Sequence, residues 1–155
     1  MASLIGEYEC KLDVKGRFLF PSGLKKQLDP TAKERFVMNR GFEGCLVLYP
    51  MNEWETETAK FSKLNLYRAK DRKFYRQFHN GATHLELDSS SRVLVPKRLK
   101  EVAGIDKDIV LFAYANRIEV WSKEKYDAEM AVDRDDFEDL AEDVMGGLEK
   151  DDDVS

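Results

Sequence analysis

The sequence predicts an α+β protein, mostly a β barrel assembled from two tandem copies of one β-rich unit related by approximate twofold symmetry. Peripheral helices and a flexible acidic C-terminal tail complete the expectation. Three observations carry it: an internal repeat at a displacement of 75 residues, strand-like runs that end at proline in both copies, and a sharp change of charge near residue 133.

The repeat places Leu12-Asp13-Val14-Lys15-Gly16-Arg17-Phe18-Leu19-Phe20-Pro21-Ser22-Gly23-Leu24-Lys25 on Leu87-Asp88-Ser89-Ser90-Ser91-Arg92-Val93-Leu94-Val95-Pro96-Lys97-Arg98-Leu99-Lys100. Leu, Asp, Arg, Leu, Pro, Leu and Lys recur in register. After a small change of offset, Leu46-Val47-Leu48-Tyr49 falls on Ile118-Glu119-Val120-Trp121, and Trp54 on Tyr126. A unit of about 50 ordered residues buries too little apolar surface to stand alone, so two units in one chain are expected to pair their hairpins into one core.

The elements follow in order. Alternation over Tyr8 to Leu12, and over Thr83 to Leu87, predicts a first strand in each unit, and Asp followed by polar residues and Arg predicts a turn. Phe18 to Phe20 and Val93 to Val95 read as second strands, ended by Pro21 and Pro96, which have no N–H to give to a ladder. Short lysine-containing helices are expected at Ser22 to Leu28 and Lys97 to Val102. Two more strands follow in each unit, Phe36 to Asn39 with Cys45 to Tyr49, and Ile109 to Tyr114 with Arg117 to Trp121. Gly41-Phe42-Glu43-Gly44 and Ala115-Asn116 supply the turns. Helical spacing of Trp54, Thr58, Phe61 and Leu64 predicts an amphipathic helix capped by Asn52, and a basic helix from Ala69 to Asn80 is expected to pack Phe74 and Phe78 inward. The second unit has a shorter helix, Lys123 to Val132, then a weak apolar stripe of Phe137, Leu140 and Val144; beyond Gly146-Gly147 disorder is expected. The expected domains are 1–80, 81–132 and the acidic tail 133–155.

Composition narrows the function. The chain of 155 residues is 43% hydrophobic and 35% charged with a formal net charge of −5. Residues 133–155 carry −9 and residues 1–132 carry +4, so a mildly basic body precedes an acidic tail. Lys60 to His79 concentrates Lys60, Lys63, Arg68, Lys70, Arg72, Lys73 and Arg76 against Asp71 alone. Such a body is compatible with nucleic acid, whose phosphates release counterions to Lys and Arg, but charge alone favours a solvated helix face with a solubilising tail. No apolar run is long enough for a spanning helix and the N-terminus has no secretion pattern, which predicts a cytoplasmic protein with no membrane partner. Cys10 and Cys45 read as small core residues, and His79 and His84 are the only histidines. No phosphate-binding glycine loop, nucleophile arrangement or metal-ligand spacing is present, so no catalytic residue, metal or cofactor is expected and the protein does not read as an enzyme.

Two Asp-x-x-x-Arg motifs, each followed by a strand and Pro, together with the segment Leu48 to Trp54 and the intervening basic helices, resemble the MraZ family of bacterial transcriptional regulators over roughly residues 1–132. The resemblance implies a fold of two AbrB-like swapped-hairpin halves and a ring-shaped homo-oligomer. It further implies binding to double-stranded promoter DNA at direct repeats in the division and cell-wall gene cluster, with nucleoid association and a repressor as the expected outcome. A protein-binding scaffold, with the acidic tail wrapping a partner as in antitoxins, is the alternative from a different class.

The candidate DNA-binding residues are Lys15, Gly16, Arg17, Ser90, Ser91 and Arg92. Lys15 offers a point charge for phosphate, Gly16 a backbone able to approach a groove closely, and Arg17 a planar fork matched to guanine O6 and N7. The competing reading is that Asp13 with Arg17, and Asp88 with Arg92, pair across their own turns. The second motif lacks the Lys-Gly of the first, so the first loop is expected to dominate DNA contact while the second offers serine hydroxyls and Arg92.

Overall fold

The computed structural model describes the backbone of residues 3–154 and the side chains of residues 3–150. The chain forms two compact units, residues 1–125 and 126–155.

In the first unit, burial alternates along β1 (Leu4–Lys11), as a half-buried strand requires. After a tight turn come β2 (Arg17–Leu19) and the one-turn helix α1 (Ser22–Lys25), which begins directly after Pro21. β3 (Arg35–Arg40) and β4 (Leu46–Pro50) form a hairpin, followed by α2 (Met51–Ala59) and α3 (Ala69–Phe78). The second repeat runs through β5 (Thr83–Glu86), β6 (Arg92–Leu94), α4 (Lys97–Val102), β7 (Asp108–Ala115) and β8 (Arg117–Ser122), and α5 (Lys123–Met130) begins at its end. Pro50, rather than the expected Asn52, occupies the N-cap of α2.

Six strands form one antiparallel sheet in the order β1-β7-β8-β4-β3-β5, and β2 pairs with β6 in a separate ribbon. Exchanging each strand for its repeat equivalent turns this order into its own reverse, which places the approximate twofold between β4 and β8. The repeats are interlocked: β1 pairs along its length with β7, and β5 pairs with β3. Neither repeat completes its sheet without the other's first strand.

The expected closed barrel is not formed. β1 and β5 are open edges of the six-stranded sheet. Pro21 and Pro96 stop β2 and β6 after three residues, too short a ribbon to hydrogen-bond both edges.

One apolar core draws on both repeats, including Phe18, Phe20, Leu24, Phe36, Met38 and Leu48 from the first and Val93, Val95, Leu99, Leu111, Ile118 and Val120 from the second. Phe18 lies directly across from Val93, so a large residue of one repeat fills space left by a small one of the other. Full burial of each such side chain stabilises the fold by about 1.5–3 kcal/mol.

α2 and α3 sit over an aromatic group in which Trp54 lies 5.4 Å from Tyr49, and Phe61 lies 4.7 Å from Phe78. The buried Asn39 amide donates to the Phe78 carbonyl at 2.7 Å and so satisfies the end of α3. The other end is held by Asp71, whose carboxylate accepts from the Asn65 N–H at 2.8 Å, and by Arg72, which donates to the Leu66 carbonyl at 3.0 Å. Contrary to the sequence expectation, Phe74 is 52% exposed, and α3 contains no buried residue.

In the second unit, α6 spans Arg134–Val154 and passes through Gly146-Gly147, beyond which disorder is expected from the sequence. Each glycine costs a helix only about 1 kcal/mol, and the apolar spacing continues beyond them at Leu148. Phe137, Leu140, Val144 and Leu148 are all exposed along α6.

Candidate nucleic-acid interface

Both Asp-x-x-x-Arg segments fold into the same turn. In the first, Asp13 Oδ1 accepts from the backbone N–H of Lys15 and of Arg17, each at 2.9 Å, while the Gly16 N–H donates to the Asp13 carbonyl at 3.0 Å. In the second, Asp88 Oδ1 accepts from the N–H of Ser90 at 2.8 Å and of Arg92 at 2.9 Å, and the Ser91 N–H donates to the Asp88 carbonyl at 2.9 Å. The aspartates are turn anchors. The backbone N–H of Arg17 is the chief cause that holds the Asp13 carboxyl below its usual range, and that of Arg92 does the same for Asp88.

The turn needs a left-handed residue at its fourth position. Gly16 supplies it at φ +82°, and Ser91 adopts φ +61° at the equivalent place. Gly16 is buried, and what it supplies to the turn is this conformation. Ser91 is held from the side by Lys25, whose Nζ donates to Ser91 Oγ at 2.8 Å and also meets Glu34 at 3.2 Å. Lys15 and Ser90 are exposed at the loop tips.

The arginines differ. Arg17 Nε donates to Asp13 Oδ2 at 2.9 Å, and its Nη1 lies 4.0 Å from Asp88, so its guanidinium ties one loop to the other. The Arg17 side chain is 29% exposed. The Nε bond fixes the plane of the fork and leaves the Nη end able to donate. Arg92 is exposed and donates no side-chain hydrogen bond to the described residues. The loop expected to be secondary therefore presents the less encumbered arginine.

Between the loops lies the β2–β6 ribbon, with Arg17 opposite Leu94, Phe18 opposite Val93 and Leu19 opposite Arg92. Phe18 and Val93 point into the core, and period-two alternation sends Arg17, Leu19, Arg92 and Leu94 to the other face. Leu19 and Leu94 are thereby exposed on that face, a placement that the alternation about Phe18 and Val93 already signals in the sequence. Among the described residues no group of His, Cys, Asp and Glu is arranged to hold a metal, and no helix is long and apolar enough to cross a membrane.

The fold is duplicated, with interlocked repeats whose paired turns flank a short two-stranded ribbon. The family model for the MraZ protein, described as antitoxin-like, matches residues 3–77 and again residues 78–146. The chain is 47% identical over 147 residues to a protein of Christiangramia forsetii, covering 94% of this chain and 95% of that one. It is 44% identical over 152 residues to a protein of Flavobacterium psychrophilum, with 97% of each covered, and 37% identical over 150 residues to one of Cytophaga hutchinsonii, with 97% and 99% covered. Each of the three is named a transcriptional regulator MraZ. The chain belongs to the MraZ family.

Proposed function

We propose that this protein is a sequence-specific, DNA-binding transcriptional regulator, acting in the cytoplasm on the nucleoid as a repressor, and that it reads promoter direct repeats with its two turns and the ribbon between them. The observation that carries this reading is the single outer surface of the ribbon on which Arg17 and Arg92 stand, with exposed Lys15 at one turn and Ser90 at the other. A two-stranded ribbon fits the major groove, and there an arginine fork reads guanine while Lys15 and the Ser90 hydroxyl serve phosphate. Arg92 is available as it stands. Arg17 is oriented by Asp13 and uses its Nη end; Gly16 and Ser91 shape the turns. The names of the relatives support regulation of transcription, and the family resemblance implies the division and cell-wall gene cluster as the target.

One chain offers one small reading surface, so affinity is expected to come from assembly. A homo-oligomeric ring that repeats the ribbon engages direct repeats about one helical turn apart. The exposed Phe74, Lys73 and Arg76 of α3, which the chain's own core leaves uncovered, suit the contact between copies. The scaffold alternative draws its support from the exposed apolar stripe of α6.

Fluorescence polarisation with tiled 30-base-pair duplexes from the region upstream of the protein's own gene, across salt, tests the reading. Arg92→Ala and Arg17→Ala are each expected to lose about 5- to 150-fold in affinity for one duplex, the range of a bidentate arginine–guanine contact, while retaining the wild-type circular dichroism. No preference for any upstream duplex over a scrambled one would overturn the DNA reading and favour the scaffold.

A further inference from the structure

The ribbon's outer surface is as much apolar as basic. Leu19 is 63% exposed and Leu94 50% exposed, whereas their neighbours Phe18, Phe20, Val93 and Val95 are all buried. The two leucines occupy equivalent positions in the two repeats, and each lies directly across the ribbon from an arginine: Leu19 from Arg92, and Leu94 from Arg17. The Cβ atoms of directly opposed residues of an antiparallel pair stand about 5 Å apart, so each leucine side chain leaves the ribbon beside that of an arginine. The surface is a two-by-two checkerboard of arginine and leucine.

We propose that Leu19 and Leu94 are specificity-determining residues that contact the C5-methyl groups of thymines next to the guanines read by the arginines. This rests on the DNA reading above. Among base edges in the major groove, the thymine methyl is the one apolar group, so exposed leucines placed beside guanine-reading forks have a single complementary target there. Along one strand the same-face neighbours, such as Arg17 and Leu19, lie two residues or about 6.8 Å apart, the rise of two base pairs, so an arginine and a leucine address bases within one or two steps of each other. Charge selects DNA over a second copy as the occupant. Burying Leu19 and Leu94 against another protein surface would also strip water from Arg92, which donates no side-chain hydrogen bond to the described residues, and from the Nη end of Arg17, whose Nε is already paired with Asp13. DNA supplies acceptors for both arginines at the same time as methyl groups for both leucines.

Removing thymine methyls while keeping every hydrogen-bonding group tests the proposal. The upstream duplex that binds the full-length protein best is compared with the same duplex carrying deoxyuridine for each thymidine. The wild type is expected to bind the uracil duplex about four-fold more weakly for each methyl contacted, the fold-change of one buried methyl, hence about 15-fold for two. The double variant Leu19→Ala with Leu94→Ala is expected to bind both duplexes equally, and to bind the uracil duplex within about two-fold of the wild type. Both side chains are exposed, so folding should be retained, and circular dichroism and sedimentation check this together with the oligomeric state. Equal wild-type affinity for the two duplexes, or discrimination that survives in the double variant, would overturn the leucine proposal while leaving the DNA reading intact. A double variant that loses oligomeric state would likewise overturn it and assign the leucines to subunit contact. Absence of any sequence-preferring duplex would instead overturn the DNA reading on which the proposal rests.

Discussion

Replacing Gly16 by alanine isolates the backbone conformation of the first turn from everything else in it. A Cβ built at Gly16 would meet the Val95 carbonyl oxygen at 3.7 Å and Leu94 Cδ1 at 3.9 Å, ordinary contact distances, so no steric collision is added. What remains is the cost of holding an L-residue at φ +82°, about 1–2 kcal/mol. Ser91 tolerates a side chain at φ +61° in the equivalent turn, which shows that the turn itself survives one. Gly16→Ala is therefore expected to lower stability by about 1–2 kcal/mol, or about 2–8 °C in melting temperature for a chain of this size. The reverse change, Ser91→Gly, removes the left-handed penalty but also the Lys25 hydrogen bond, worth about 0.5–1.5 kcal/mol, so it should leave stability within about 1 kcal/mol of wild type. Urea and thermal unfolding of both variants measure this. A Gly16→Ala loss above about 4 kcal/mol would refute the clearance argument, and no loss at all would refute the left-handed turn.

Other consequences are equally direct. Leu48 is fully buried at the centre of the sheet, and Leu48→Ala should cost about 2–5 kcal/mol by urea titration. Asp13 and Asp88 have folded pKa values below the unfolded one, so their stabilisation is present above about pH 4 and is lost as pH falls through the lower folded values; Asp13→Asn with Asp88→Asn should flatten the acid limb of a stability–pH curve. Desolvation first, and then the hydrogen bond it donates to Glu119, push the Tyr114 phenol up to about 12, so this group costs stability as pH rises from about 10 to about 12, and Tyr114→Phe should remove that alkaline loss in pH-dependent unfolding. Lys73→Glu with Arg76→Glu should shift sedimentation toward smaller species if α3 joins copies, whereas an unchanged oligomer would exclude α3 from the contact.

Much of the local structure was legible in the residues. Alternation marked the strands, Pro21 and Pro96 marked where β2 and β6 stop, and the paired Asp-x-x-x-Arg segments marked two turns of one design. Asp13 and Asp88 were readable as turn anchors because a carboxylate at that position reaches the N–H groups two and four residues on. The failures were failures of distance. Phe74 looked like a core residue from its helical spacing, but spacing says which side chains share a face and nothing about whether another element covers it. Gly146-Gly147 looked like a terminus because glycine is a poor helix former, yet a penalty of about 1 kcal/mol each does not end α6.

The amino-acid sequence alone determined the duplication, the period-two strands, the proline stops and the charge division between body and tail, because each depends on interactions within a few residues or on identity between the repeats. Only the tertiary structure decided that β1 pairs with β7 and β5 with β3, that the sheet keeps two open edges, and that Arg17 spans both loops. It also decided that Leu19 and Leu94 stand beside Arg92 and Arg17. Cross-strand register is set by how two distant segments bury their apolar faces together, and that balance has no local signature in the chain.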